Sequence, residues 1–397
     1  MSAPAQELQS RLDRFTAYLA QDPDNPNLAN EVGQAHLRLG HFAEAREVLA
    51  SALARHPTHP ALRSTLASVA MASGQADEAI EILKGLIESG HDHPVNRYNL
   101  AYALMYARRF AEARDQLVTV LDDPTAPEAP VLLARCLHHL GEMDEAIERL
   151  NKFLAKHPGH SEALGFLSLL HLDSMHTQEA RQSAEQAIQH NPDDLSALVT
   201  LGSLALETQD DKASTEFFEH ALQRNPKSGR AWSGLGLATM LRLDLHKAME
   251  QLRQAVTHMP DHIGTWHALA WCQITANDLE GARQSFEKSM EIDRSFAETH
   301  GGLAVIAVIQ NRLDEAQKLV KIALRLDPNS FAARFADSLL QSKTDPAKAK
   351  AEVQKILATP IPGTTETLQE ALQRYMRRSA PTTKSDTAGP PKGVRRH

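Results

Sequence analysis

The sequence predicts an all-α protein built from stacked helix pairs, and three observations carry that expectation. Prolines recur at a fixed interval: Pro124, Pro158, Pro192, Pro226, Pro260 and Pro328 stand 34 residues or a multiple of 34 apart, with Arg294 where one proline is missing. A small residue keeps the same register, as Ala45, Ala79, Ala113, Ala146, Ala180, Ser214, Ala248, Ala282 and Ala316. Aromatic content is only 5%, and no run of alternating β-branched residues appears, so strands have no support. A period of this length marks a repeat array in which each unit buries its apolar face only against its neighbours. The 397 residues therefore predict one elongated array and not two or three globular domains.

The unit at residues 229–262 shows the pattern most clearly. Trp232, Leu235, Gly236 and Thr239, then Leu245, Ala248, Leu252, Ala255 and Val256, recur at three- and four-residue intervals, as two amphipathic helices require. Gly236 and Ala248 are small enough for the two helix axes to approach closely. Pro260 follows the second helix, where its fixed φ and missing N–H stop continuation. The spacing of Trp232, Leu235, Gly236, Ala248, Leu252 and Pro260 resembles that of the tetratricopeptide repeat family. The resemblance implies a right-handed superhelix of antiparallel helix pairs. It also implies a concave groove lined by each unit's first helix, chiefly through its second, fifth, ninth, twelfth and thirteenth positions.

Taken in order, residues 1–25 form an N-terminal capping helix: Arg11, Phe15, Tyr18 and Leu19 keep the register of later second helices, and Pro23 closes it. Nine units follow at 26–59, 60–93, 94–126, 127–160, 161–194, 195–228, 229–262, 263–296 and 297–330. The step from Pro57 to Pro124 is 67 residues, one short of two periods. We place the deletion at 122–126, where Pro124, Pro127 and Pro130 crowd the connection. After Pro328 the pattern decays. Residues 331–378 read as a degenerate repeat and a C-terminal capping helix: 330–341 are helical, Asp345 caps a second helix opened by Pro346, Pro360 and Pro362 break the chain, and 364–378 form the last helix. Residues 379–397 are rich in Pro, Ser, Thr, Gly and Lys and read as disordered.

Charge separates body from tail. From residue 371 on, Arg374, Arg377, Arg378, Lys384, Lys392, Arg395 and Arg396 face only Asp386, a balance of +6, so the net −8 leaves −14 on residues 1–370. Such a body argues against nucleic acid as the solenoid's ligand. The tail reads as a solvated end, with an electrostatic anchor to a membrane, nucleic acid or acidic partner as the alternative. The polar N-terminus lacks a signal-peptide core, and the longest apolar run, 303–309, is too short to span a bilayer, so a soluble cytoplasmic protein is expected.

Motifs for chemistry are missing: there is no phosphate-binding loop, dinucleotide fingerprint, H-E-x-x-H or C-x-x-C. We therefore expect a non-enzymatic protein with no cofactor and no metal. Cys136 and Cys272 share one register position four units apart and read as small buried thiols. His91, Asp92 and His93, and the pair His138 and His139, could suggest a metal. Yet His56, His59, His157, His160, His258 and His262 cluster at the repeating turn, which favours turn or surface roles.

The groove positions implied by the resemblance give two candidate partner sites. The first comprises Val95, Tyr98, Tyr102, Met105 and Tyr106, flanked by Met71, Arg135, His138 and His139, with Arg135 placed to meet an acidic or C-terminal group. The second comprises Leu237, Met240, Leu241, His267, Trp271, Ile274, Val305, Val308 and Ile309. Apolar residues at positions not needed within a unit call for a buried partner; the alternative for the second set is cover by tight winding or by 364–378, and for the tyrosines that they fill the inner side between units. The lysine and asparagine clamp by which some family members hold a chaperone's C-terminal carboxylate is not met, since only Asn99 fits. Two functions follow from the resemblance: a protein-binding adaptor or scaffold, for which composition suggests a bacterial secretion or envelope assembly, or an accessory subunit of a separate enzyme such as a glycosyl- or sulfotransferase. Either is compatible with a homo-oligomer.

Overall fold

The computed structural model of the protein describes residues 3–208, 210–342 and 346–358, with 367, 369 and 370 beyond them. The chain divides into two compact units, Met1–Leu204 and Ala205–His397. In the first unit lie α1 (Ala3–Gln21), α2 (Pro26–Leu39), α3 (Phe42–Arg55), α4 (Pro60–Ala72), α5 (Ala76–Glu88), α6 (Pro94–Tyr106), α7 (Phe110–Val118), α8 (Ala129–Leu140), α9 (Met143–Lys156), α10 (Ser161–Asp173) and α11 (Thr177–His190). The boundary falls within α12 (Leu195–Glu207). The second unit holds α13 (Asp211–Arg224), α14 (Gly229–Leu241), α15 (Leu245–His258), α16 (Ile263–Thr275), α17 (Leu279–Ile292), α18 (Ala297–Ile309), α19 (Leu313–Leu326), α20 (Phe331–Ser342) and α21 (Pro346–Leu357).

Local chemistry sets these boundaries. Asn25 accepts from the N–H groups of Asn27 and Leu28 to open α2, and Ser228, Asp244 and Asp278 do the same work for α14, α15 and α17. Two turn histidines join them: His160 accepts from Ala163 and His262 from Thr265. The stop signal after eight of the first helices is a left-handed residue: Gly40, Gly74, Arg108, Gly141, Met175, Leu243, Asn277 and Asn311. A third device ties the first helix to its preceding turn. The ring N–H of Trp232 donates to the Pro226 carbonyl at 2.8 Å, that of Trp266 to Pro260 at 2.7 Å, and His300 Nε2 lies 2.9 Å from the Arg294 carbonyl oxygen.

Packing follows the small residues. Ala45, Ala79, Ala113, Ala146, Ala180, Ser214, Ala248, Ala282 and Ala316 are all fully buried; small residues let a second helix close on its own first helix, as α3 does on α2 and α15 on α14. Second helices also pack on the first helix of the following pair, as α3 does on α4 and α15 on α16. Phe218 and Phe286, the largest fully buried side chains, fill the space beside Gly234 and Gly302, where a Cβ would meet the ring at 2.2 Å. Polar pairs join successive first helices: the Thr65 hydroxyl donates to Asn30 at 2.7 Å, and that of Ser168 to Thr200 at 3.0 Å. On α18 the Glu298 carboxylate accepts from the Phe331 and Ala332 amides at 2.6 and 2.9 Å, capping α20 from a neighbouring helix.

The irregular connection starts earlier than expected. α7 ends at Val118, turns occupy the chain to residue 128, and α8 begins at Ala129 rather than at the start of 127–160. Val120 and Ala126, each 3% exposed, are buried within these turns. The expectations for Asp345, for the helix 364–378 and for the tail 379–397 lie outside the described residues, apart from 367, 369 and 370. Both cysteines are buried and free, and burial pushes the Cys136 thiol up to about 11.

The closest approach of α18 to α20 yields a test. A Cβ on Gly301 would lie 2.4 Å from the backbone nitrogen of Ala333 and 2.7 Å from the Ala332 methyl, so a helix axis has to move. Gly301→Ala should therefore destabilise the second unit by about 1–3 kcal/mol in denaturant unfolding, against the small gain that alanine gives a helix. An unchanged or raised midpoint contradicts this packing.

Candidate functional site

α6 presents two contrasting faces. Leu100, Ala101, Ala103 and Leu104 are buried, fixing the helix in the first unit. Tyr98, Tyr102 and Tyr106, at i, i+4 and i+8, form the opposite stripe. Tyr98 is half-buried, whereas Tyr102 is 37% and Tyr106 62% exposed. The Tyr102 and Tyr106 ring centroids stand 5.1 Å apart at 49°, with the Tyr102 hydroxyl donating to that of Tyr106 over 3.5 Å. That bond, then burial, then the neighbouring phenols push the Tyr102 hydroxyl up to about 12, so this phenol is uncharged at neutral pH.

The stripe is a ridge between two cavities. On one side a hollow of about 590 Å³ is lined by Ala67, Met71 and Ala72 of α4, Leu83 of α5 and Asn99 of α6, and is mostly apolar. On the other, a smaller hollow of about 260 Å³ is lined by Tyr98, Met105, Val131, Leu132, Glu128, Arg135 and Glu162. Tyr102 and Tyr106 line both. The structure thus brings together Met71, Tyr98, Tyr102, Met105, Tyr106 and Arg135. Val95, 43% exposed, lines neither hollow.

Arg135 does not stand as a free cation. Its guanidinium lies 2.9 Å from Glu162 and 4.6 Å over the Phe166 ring. His138 and His139 line neither hollow either: His138 Nε2 is 2.9 Å from Asp173 Oδ2, and His139 stacks on Phe110 at 4.2 Å and 8°. Among the described residues no group of three or more His, Cys, Asp or Glu could hold a metal ion.

The second candidate set is largely used by packing. Val305 is 1% and Val308 6% exposed, both closed over by Leu339 and Leu340 of α20, so neither lines an open groove. His267 is internal as well: Nε2 is 3.1 Å from the Ser289 hydroxyl and 2.9 Å from that of Thr299, and its ring meets Phe286 and Phe296 edge-on. Trp271 and Ile274 pack around Phe286, and Met240 against the Ala248 and Leu252 cluster. Leu237 is half-buried; only Leu241 and Ile309 stand exposed, at 38% and 47%.

Sequence reasoning missed Glu128 and Glu162, because one lies in the turn before α8 and the other on α10, two helix pairs from the tyrosines. It also missed a hollow of about 1020 Å³ in the second unit between α13 and α15, where Leu222, Pro226 and Trp232 are rimmed by Glu219, Lys247, Glu250 and Arg253.

Tetratricopeptide repeat family models match residues 12–69, 37–96, 70–123 and 104–170, then 167–228, then 263–296, together more than half of the 397 residues. The chain belongs to the tetratricopeptide repeat family. Its all-α pairs are those of that fold, and tetratricopeptide repeats are in general protein–protein interaction modules. A solved structure similar to this tetratricopeptide chain is a tetratricopeptide repeat protein from Parabacteroides merdae, 17% identical over 62% of this chain and 98% of that one, with a TM-score of 0.44. No curated protein matches the chain. No helix among the described residues is long and apolar enough to cross a membrane.

Two measurements check this division of roles. Tyr106→Ala should change stability by no more than about 0.5 kcal/mol, while Leu104→Ala on the buried face should cost about 2–5 kcal/mol; equal losses would make the stripe core. Burial lowers His267 from 6.5 to about 4, so between these values the unfolded chain binds the extra proton and stability falls as pH falls. Acidification from about pH 7 to about pH 4.5 should therefore destabilise the parent more than His267→Gln; identical pH profiles would show that the imidazole is not desolvated as described.

Proposed function

We propose that the chain is a non-enzymatic adaptor that holds an extended or helical segment of a protein partner against the tyrosine stripe of α6. One observation carries this reading: Tyr102 and Tyr106 stand exposed between two hollows while the opposite face of their helix is buried. Three tyrosines in line provide large contact area with little rotamer entropy to lose, and their hydroxyls orient what lies on them. The apolar hollow beside Met71 and Leu83 adds a place for a side chain to leave water. The set at α14, α16 and α18 is secondary in this reading, with Leu241 and Ile309 at most extending a contact. The cytoplasm is where we place the adaptor, and components of a bacterial secretion or envelope assembly are the partners to examine first.

The test is a retention experiment on the source-cell extract with two immobilised proteins, the parent and a Tyr102→Ala, Tyr106→Ala double variant. A partner retained by the parent should bind the variant more weakly by about 2 kcal/mol or more, roughly 30-fold in Kd, at an unchanged melting temperature. Partners retained equally by both proteins would remove α6 as the site. An enzyme as the retained partner would turn the adaptor into an accessory subunit.

A further inference from the structure

We infer that the segment bound at α6 carries a Lys or Arg side chain that enters the smaller hollow, facing Tyr98, Tyr102 and Tyr106 and the carboxylates of Glu128 and Glu162. The inference rests on the reading of α6 as the partner site and adds the chemistry of what it takes.

Charge around the hollow selects a cation. Glu128, Glu162 and Arg135 are the charged residues that line it, which leaves one carboxylate in excess. Arg135 is already committed to Glu162 and to the Phe166 face. Glu128 is held by His160, whose Nε2 lies 3.1 Å away while its Nδ1 accepts the Ala163 N–H at 3.2 Å. The carboxylate of Glu128 is therefore stabilised in place and remains available to a cation.

The walls fit the same ligand. Tyrosine faces are electron-rich and attract a cation within about 6 Å of the ring centre, most strongly where water is thinned. The Tyr98 hydroxyl is pushed up by burial first and then by Glu128 and Glu162, with Arg135 acting against them. The long-range field agrees. Residues 1–204 contain 16 Lys and Arg against 27 Asp and Glu, a balance of −11, although the whole chain carries only −8. A basic segment is thus drawn to this unit before any contact forms. The larger, apolar hollow across the Tyr102 and Tyr106 ridge then takes an uncharged neighbour of the basic residue.

The experiment is selection of short random displayed peptides on the immobilised full chain, with counter-selection on the Tyr102→Ala, Tyr106→Ala variant to isolate tyrosine-dependent binders. Those binders should be enriched in Lys and Arg over the starting library. Glu128→Gln should weaken them about three- to tenfold at unchanged melting temperature, and rising salt should weaken them further. Tyrosine-dependent peptides without basic enrichment, or indifferent to Glu128→Gln, overturn the cation while leaving α6 as the site. Failure to recover any tyrosine-dependent peptide overturns both the cation and the α6 reading.

Discussion

The helix pairs within each unit depend on one packing constraint: the residue near the start of the second helix must be small enough to vanish at the crossing. Nine of these positions hold Ala or Ser, and all are fully buried. With the axes this close, the larger side chains have to settle beside the crossing, where Leu49, Leu83, Leu117, Leu150, Phe218, Leu252 and Phe286 are found. The polar links between first helices, such as Asn30 with Thr65 and Ser168 with Thr200, fit the same close approach. A buried hydroxyl has to find a partner, and the neighbouring repeat presents one at the corresponding height.

That constraint decides which residues are left over for recognition. A first helix turns one face to its own second helix and another to the next pair, and its remaining surface is open or covered depending on how that next pair is built. At α6 the remainder is a tyrosine stripe between two hollows. At α18 it is Val305 and Val308, which α20 covers through Leu339 and Leu340. Corresponding register positions are thus open in one place and buried in another. The difference lies in the adjoining helices and not in the residue itself.

The periodic part of the fold was legible because it is written in residue size and spacing. Ala45 through Ala316 and the turn prolines needed no knowledge of contacts. The left-handed stops at Arg108, Met175 and Leu243 were not legible, since non-glycine residues adopt that conformation only when packing on both sides imposes it. The early end of α7 was hidden too: Phe110 to Thr119 keeps helical composition, and the burial of Val120 and Ala126 in the following turns is a tertiary feature. At the candidate site the tyrosine stripe could be read from i, i+4 spacing. The contacts of Arg135 with Glu162 and of Glu128 with His160 could not, because each joins residues well separated in the chain, 27 and 32 apart.

The central claim is that partner recognition occupies the surface that helix packing leaves open at α6. The chain has five tyrosines and three tryptophans, which act as reporters for the two candidate surfaces. Tyrosine-ring and indole N–H NMR spectra of the full chain, recorded as a retained partner segment is added, measure the claim directly. Saturable shifts of the Tyr98, Tyr102 and Tyr106 ring signals are expected, with the Trp232, Trp266 and Trp271 indoles unmoved. Shifts at Trp271 with the three tyrosines unmoved would contradict the claim and assign recognition to the second unit.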